Sequence, residues 1–136
     1  MQRGLDVEAE ARRWLEFELD VDIEEVGMVT DGDLFGASPD GLIESKIPVE
    51  IKCPMPSTHI NYLLEGKLPE AYRAQVHFQI AMMGAPYAYF MSYCPEVEPL
   101  LLMVPRDDYT DNMVEQMDNY IAQFRFAHKR ITGVHS

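Results

Sequence analysis

Between Gly36 and Pro54 the chain reads GASPDGLIESKIPVEIKCP, and the alternation within this stretch leaves few ways to pair it. A hairpin centred on Glu44, Ser45 and Lys46 sets Ile43 opposite Ile47, Leu42 opposite Pro48, Gly41 opposite Val49 and Asp40 opposite Glu50. Side chains alternate along a strand, so Ile43, Ile47, Val49 and Ile51 then share one face while Asp40, Glu50 and Lys52 share the other. The apolar residues agree with this register and oppose a slip by one. Proline is restricted to strand starts, edges and bulges, so Pro48 allows a local offset.

The same register forces two carboxylates together. Cross-strand partners have Cβ atoms about 4.5–5.5 Å apart, where like charges repel unless something cationic lies between them. A hard dication would answer the need, because Mg²⁺ favours one or two carboxylates, several waters and a substrate phosphate oxygen. Lys52 lies roughly 6.6 Å beyond Glu50 on the same face, close enough to polarise a water or steady developing negative charge. The residues therefore suit metal-assisted phosphodiester cleavage. An Asp followed ten residues later by E-x-K also occurs where two opposed acids on a solvated strand need no metal.

Four separated motifs then coincide. S-P-D-G-L at Ser38 to Leu42 and E-I-K-C-P at Glu50 to Pro54 are preceded by G-L-D-V-E-A-E-A-R from Gly4 to Arg12 and followed by A-Y-R-A-Q-V from Ala71 to Val76. In this order they resemble the bacteriophage lambda exonuclease family, the YqaJ-type viral recombinase nucleases of the PD-(D/E)xK superfamily. The resemblance implies a restriction-endonuclease-like α/β core, a mixed sheet flanked by helices, filling residues 1–136 as a single nuclease domain. It implies a Mg²⁺-dependent deoxyribonuclease, with Mn²⁺ able to substitute, that degrades one strand of duplex DNA from its 5′ end in phage-type recombination.

The site residues implied are Asp40, Glu50 and the main-chain oxygen of Ile51 around the metal, with Glu8 toward a second ion. Lys52 would ready the attacking water, and Gln75 would orient Lys52 or that water. Tyr72 would contact the substrate backbone, with Ser38 and Arg73 as further substrate contacts. Double-stranded DNA, a single-strand annealing protein and a homo-oligomer such as a ring trimer are the expected partners. Family members of ordinary length carry a substantial segment before the first helix that contributes to the DNA channel and the 5′-phosphate pocket, and here it is almost absent. An endonuclease using the same triad is therefore the alternative.

Composition bounds the other possibilities. A chain of 136 residues with 47% hydrophobic and 25% charged residues can bury one ordinary core. No apolar run is long enough to span a bilayer and no basic leader precedes an apolar segment, so a cytoplasmic protein is expected, in the host cell if viral. Cys53 and Cys94 lie far apart, each before a proline, which argues against a zinc or iron–sulfur cluster and for two small residues at strand ends.

The net charge of −12 is unusual for a DNA-processing enzyme, because phosphate contacts need Lys and Arg. The acids are concentrated in residues 1–51, which hold 14 acids and 4 bases. Glu16, Glu18, Asp20, Asp22, Glu24 and Glu25 read as a solvated face. This imbalance keeps a second class open, a non-catalytic acidic protein that retains the fold and binds a protein partner or imitates DNA.

Around the hairpin, Leu5 to about Leu19 reads as a helix with Glu8 in its first turn, where an acid also complements the helix dipole. Ile23 to Thr30 reads as a strand, Asp31-Gly32-Asp33 as a turn and Leu34 to Ser38 as a second strand, a meander leading into the hairpin. Ser57 or Thr58 would cap a short helix through Leu64, leaving His59 as a surface residue or a phosphate contact. Pro69 opens a helix that Gly84 ends, with Tyr72, Gln75, Val76, Gln79 and Met83 on one face. Tyr87 to Tyr93 and Leu100 to Val104 read as strands, and Asp107 to Lys129 as a final helix with a Met and aromatic stripe.

Overall fold

The computed structural model describes residues 3–31 and 34–132. Helix α1 (Arg3–Leu19) is followed by strand β1 (Ile23–Glu24), and the central hairpin by β4 (Gly41–Ile43) and β5 (Ile47–Lys52), with β2 (Val29–Asp31) and β3 (Phe35–Ala37) between them. Helices α2 (Pro56–Glu65) and α3 (Glu70–Met83) lead to β6 (Tyr87–Ser92), β7 (Leu100–Pro105) and α4 (Asp108–Thr132).

The hairpin has the register that its alternation demands, Ile43 with Ile47, Leu42 with Pro48 and Gly41 with Val49. Glu44 and Ser45 both take positive φ, 54° and 56°, and Lys46 N–H closes the turn on Ile43 O at 3.0 Å. Such a two-residue turn matches strand twist but ordinarily takes Asn or Gly. Here Glu24 holds it from β1, its Oε1 accepting the Ser45 N–H at 3.1 Å and hydroxyl at 2.9 Å. Pro48 causes no offset, because the pairing of β5 with β6 begins only at Val49.

The pairing of β5 with β6 is parallel, Val49 with Tyr89 through Lys52 with Ser92, so the chain must cross over between them. Helices α2 and α3 make that crossover, and β7 then returns antiparallel beside β6. The resulting five-stranded sheet has the order β1-β4-β5-β6-β7, a mixed sheet flanked by helices.

Each face has its own core. Val7, Ala11 and Leu15, four residues apart on α1, pack with Ile43, Ile47, Val49, Ile51 and Met91. On the opposite face Val76 and Ile80 of α3 pack with Ala88, Phe90 and Val104. Alternation thus sends the odd residues of β5 toward α1 and Glu50 and Lys52 toward α3. The α3 helix starts after Pro69 and ends on Gly84 at φ 59°, a left-handed cap that glycine adopts without Cβ strain.

The strand expected over Ile23–Thr30 is two strands in different sheets. β4 offers only three residues, so β1 pairs it at Ile23 and Glu24 alone, and β2 pairs β3 apart from the main sheet. Phe35 of β3 fits between α3 and α4, with its ring 6.3 Å from Phe78 and 5.8 Å from Tyr120. The meander is therefore interrupted. Gly32 and Asp33 of the expected turn lie outside the described residues.

Helix α2 begins at Pro56 rather than after Ser57 or Thr58, and no side chain caps it, since proline at the first position has no N–H to satisfy. This earlier start turns His59 inward. It is fully buried, with Nδ1 2.7 Å from Ser92 Oγ and Nε2 2.7 Å from Glu98 O. A carbonyl can only accept, so Nε2 carries the proton and Nδ1 accepts from the Ser92 hydroxyl. His59 is neither a surface residue nor a phosphate contact. Among the described residues no helix is long and apolar enough to cross a membrane.

Candidate active site

Strand pairing stops at Gly41, and the residue before it turns toward β5. Asp40 donates its N–H to Val49 O at 3.0 Å and accepts the Ile51 N–H on Oδ2 at 2.7 Å. Its carboxylate therefore continues the hydrogen bonding of β5 instead of standing free opposite Glu50. Burial raises the Asp40 pKa above 3.8; the Ile51 N–H and Lys52 oppose this, and the charges of Glu50 and Glu8 add to it. Three acids thus sense one another at the end of the hairpin.

Glu50 is 3% exposed, and both its oxygens are occupied. Oε2 meets Lys52 Nζ at 3.0 Å and Gln75 Nε2 at 2.8 Å, while Oε1 accepts from Gln79 Nε2 at 3.1 Å. A buried carboxylate is tolerable only with such partners. One ammonium and two amides supply them, so a cation between Asp40 and Glu50 is not needed to hold the fold.

Lys52 lies two residues beyond Glu50 with its ammonium 4.9 Å from the centre of the Tyr72 ring. Burial would lower its pKa, but the hydrogen bond and charge of Glu50, with Asp40 behind it, outweigh that and raise it above 10.5. The Glu50 carboxylate thus favours the ammonium form of Lys52. Tyr72 rests tilted on Phe90 at 5.5 Å and meets the edge of Tyr62 at 6.4 Å, so β6 and α2 fix the ring beneath the ammonium.

From the other face α1 contributes Glu8. The helix starts two residues earlier than its periodicity suggested, which moves Glu8 beyond the first turn and weakens the dipole explanation for it. Glu8, Arg12, Asp40 and Ile51 line one small cavity of about 50 Å³. Ser38 is exposed two residues before Asp40. Arg73 points elsewhere: its guanidinium lies 4.0 Å over the Tyr109 ring and 3.8 Å from Glu70, on the α4 side of α3.

Two residues beyond those read from the sequence belong to this cluster. Gln79 follows Gln75 by four residues, so both amides project from one face of α3 onto the same carboxylate. Arg12 follows Glu8 by four on α1 and donates through Nη2 to Asp40 O at 3.0 Å. The spacing of each pair was the available signal.

Among the described residues no group of three or more His, Cys, Asp or Glu side chains is placed to hold a metal ion by itself. The donors that approach one another, Glu8, Asp40 and Glu50, are carboxylates, hard oxygens in an open arrangement, and the Asp40 pKa is raised by burial first and by the charges of Glu50 and Glu8 after it. That chemistry fits Mg²⁺, which keeps several waters and uses few protein ligands.

Comparison with known proteins gives the cluster its context. No curated protein sequence matches the chain. The structure of LHK-Exo, an alkaline exonuclease from Laribacter hongkongensis, is similar with a TM-score of 0.75 and 29% identity, covering 99% of this chain and 75% of that one. The complex of LHK-Exo with dAMP is similar with a TM-score of 0.75 and 30% identity, covering 98% and 73%. Residues 1–86, which carry Glu8, Asp40, Glu50, Lys52 and Gln75, match the YqaJ-like viral recombinase domain. The chain belongs to that family.

Proposed function

We propose that this protein is a divalent-metal-dependent DNA exonuclease of the PD-(D/E)xK type that shortens duplex DNA from a 5′ end. The observation that carries the reading is the convergence of Asp40, Glu50 and Lys52 at the end of one hairpin, with Glu8 and Gln75 brought to them from opposite faces of the sheet. Its likeness to a solved alkaline exonuclease over nearly its whole length supports the same reading.

Asp40, Glu50 and the main-chain oxygen of Ile51 would hold Mg²⁺, with Glu8 toward a second ion. When bound, the ion supplies Lewis-acid charge that activates water and offsets charge on phosphorus. Lys52 stays protonated and turns its ammonium toward the attacking water and the phosphate oxygens, a fixed positive charge where negative charge develops. Gln75 and Gln79 keep the Glu50 carboxylate from rotating. Tyr72 confines Lys52 and presents its edge to the substrate backbone.

An oligomer is part of the proposal, supported by Tyr120, Phe124, Phe126 and Ile131, large apolar residues exposed along α4. A single-strand annealing protein is the proposed companion in recombination.

Linear and circular plasmid, incubated with the protein in Mg²⁺, Mn²⁺ or EDTA, test the activity. Linear DNA should disappear only with metal while circles persist, and a 5′-labelled duplex should release its label first. Cutting of circles would make the protein an endonuclease. Inertness toward both would leave an acidic binding protein.

A further inference from the structure

We propose that Arg12 is a positioning residue for the acid cluster, fixing the main chain of Asp40 so that its carboxylate is held ready for a divalent cation. This rests on the reading of the site as a cation-dependent nuclease and assigns a part to a residue that the triad does not include.

Asp40 is anchored at three points. Two are main-chain groups of β5, Val49 O for its N–H and the Ile51 N–H for its Oδ2. The third is Arg12, whose Nη2 holds the Asp40 carbonyl at 3.0 Å. Arg12 thus holds the carbonyl of the peptide between Asp40 and Gly41 from the α1 side. A rotation of that peptide would swing the carboxylate off Ile51.

The site is shaped around this guanidinium. A Cβ at Gly41 would stand 2.3 Å from Ile23 Cγ2, 3.0 Å from Glu24 O and 3.1 Å from Arg12 Nη1. Glycine at this position thus leaves the room that the arginine and β1 occupy. Among the described residues Nη1 is buried with no hydrogen-bond partner, an arrangement that costs free energy and that stability alone would not favour. Glu25 lies 3.9 Å from Nη2 and is largely exposed, a weak pairing.

Arg12 is not placed to bind phosphate directly, because Nη1 is enclosed and Nη2 is already engaged. It acts through Asp40. A planar fork anchored at one end does this, whereas the flexible ammonium of lysine keeps the charge and loses the orientation. Residues that orient metal ligands in this way typically change metal affinity about 10- to 100-fold when replaced.

The test is Mn²⁺ binding to the free protein, followed by electron paramagnetic resonance, for the wild type, Arg12→Gln and Arg12→Lys, with circular dichroism as the check on folding. Both variants should bind Mn²⁺ at least about 10-fold more weakly, and saturating Mn²⁺ should restore most of the DNA cleavage. Unchanged Mn²⁺ affinity in a folded Arg12→Lys protein, which preserves size and charge, would overturn the proposal while leaving the nuclease reading intact. Absence of Mn²⁺ binding by the wild type would overturn both.

Discussion

Gln79 places its amide nitrogen 3.1 Å from Oε1 of Glu50, one turn of α3 beyond Gln75, which takes Oε2. The two glutamines grip both oxygens of an acid that water barely reaches. Gln79→Ala should therefore cost about 1–3 kcal/mol, the range for leaving a buried polar group unpaired. Gln75 is more exposed and shares its oxygen with Lys52, so Gln75→Ala should cost less. Denaturant unfolding of both single variants and the double variant would check this, with the pair expected to be non-additive because they share one partner.

Lys52→Ala should lower DNA cleavage about 10²- to 10³-fold, the usual effect of removing one fixed group that stabilises developing charge. Folding should persist, since Gln75 and Gln79 still hold Glu50. Lys52→Arg keeps the charge but not the compact ammonium, and should recover only part of the activity. Single-turnover cleavage at saturating metal separates these effects from metal binding.

The raised Asp40 pKa has a defined sign. The fold disfavours the ionised carboxyl, so this group lowers stability at neutral pH, and the loss is relieved as pH falls through its raised pKa toward 3.8. Asp40→Asn should raise the neutral-pH stability of the metal-free protein, because burial first and the charges of Glu50 and Glu8 after it disfavour the ionised carboxyl. Mn²⁺ should stabilise the wild type by about 2.7 kcal/mol at a hundredfold excess over Kd. That gain should vanish in the variant, and thermal unfolding with and without Mn²⁺ measures both.

Ser92→Ala should destabilise the protein by about 1–3 kcal/mol, because it strips His59 Nδ1 of the hydroxyl that donates to it in a buried site. Cleavage per folded molecule should change little. A loss of activity without a loss of stability would contradict the purely supporting part given to this pair.

Tyr93 donates its hydroxyl to Glu10 of α1 and its pKa is pushed up to about 12, by burial first and then by the hydrogen bond and charge of Glu10. The neutral phenol is the form that the fold prefers, so its contribution is complete below pH 10.0 and fades as pH climbs through about 12. Ultraviolet titration of the seven tyrosines should show Tyr62, Tyr89 and Tyr93 ionising late, with the step near pH 12 lost in Tyr93→Phe.

The hairpin register was legible because a single turn and strict alternation fix it, and tertiary packing had nothing left to decide. Helix α3 was legible from its proline and glycine ends. Its contact with Glu50 was not, since Gln75 and Gln79 acquire a partner only once the crossover lays the helix across the sheet. His59 misled for a similar reason: a histidine between Thr58 and Ile60 has no pattern that distinguishes inside from outside. The split of Ile23–Thr30 depended on how few residues β4 offers, which local propensity does not encode.

The parallel join of β5 to β6 carries a last implication for anyone who would transplant this site. The hairpin makes its own register, yet the two amides gripping its innermost acid arrive on a helix more than twenty residues downstream. Moved alone onto another scaffold, the hairpin would arrive as a bare acid pair, so the smallest portable unit runs from α1 through β6.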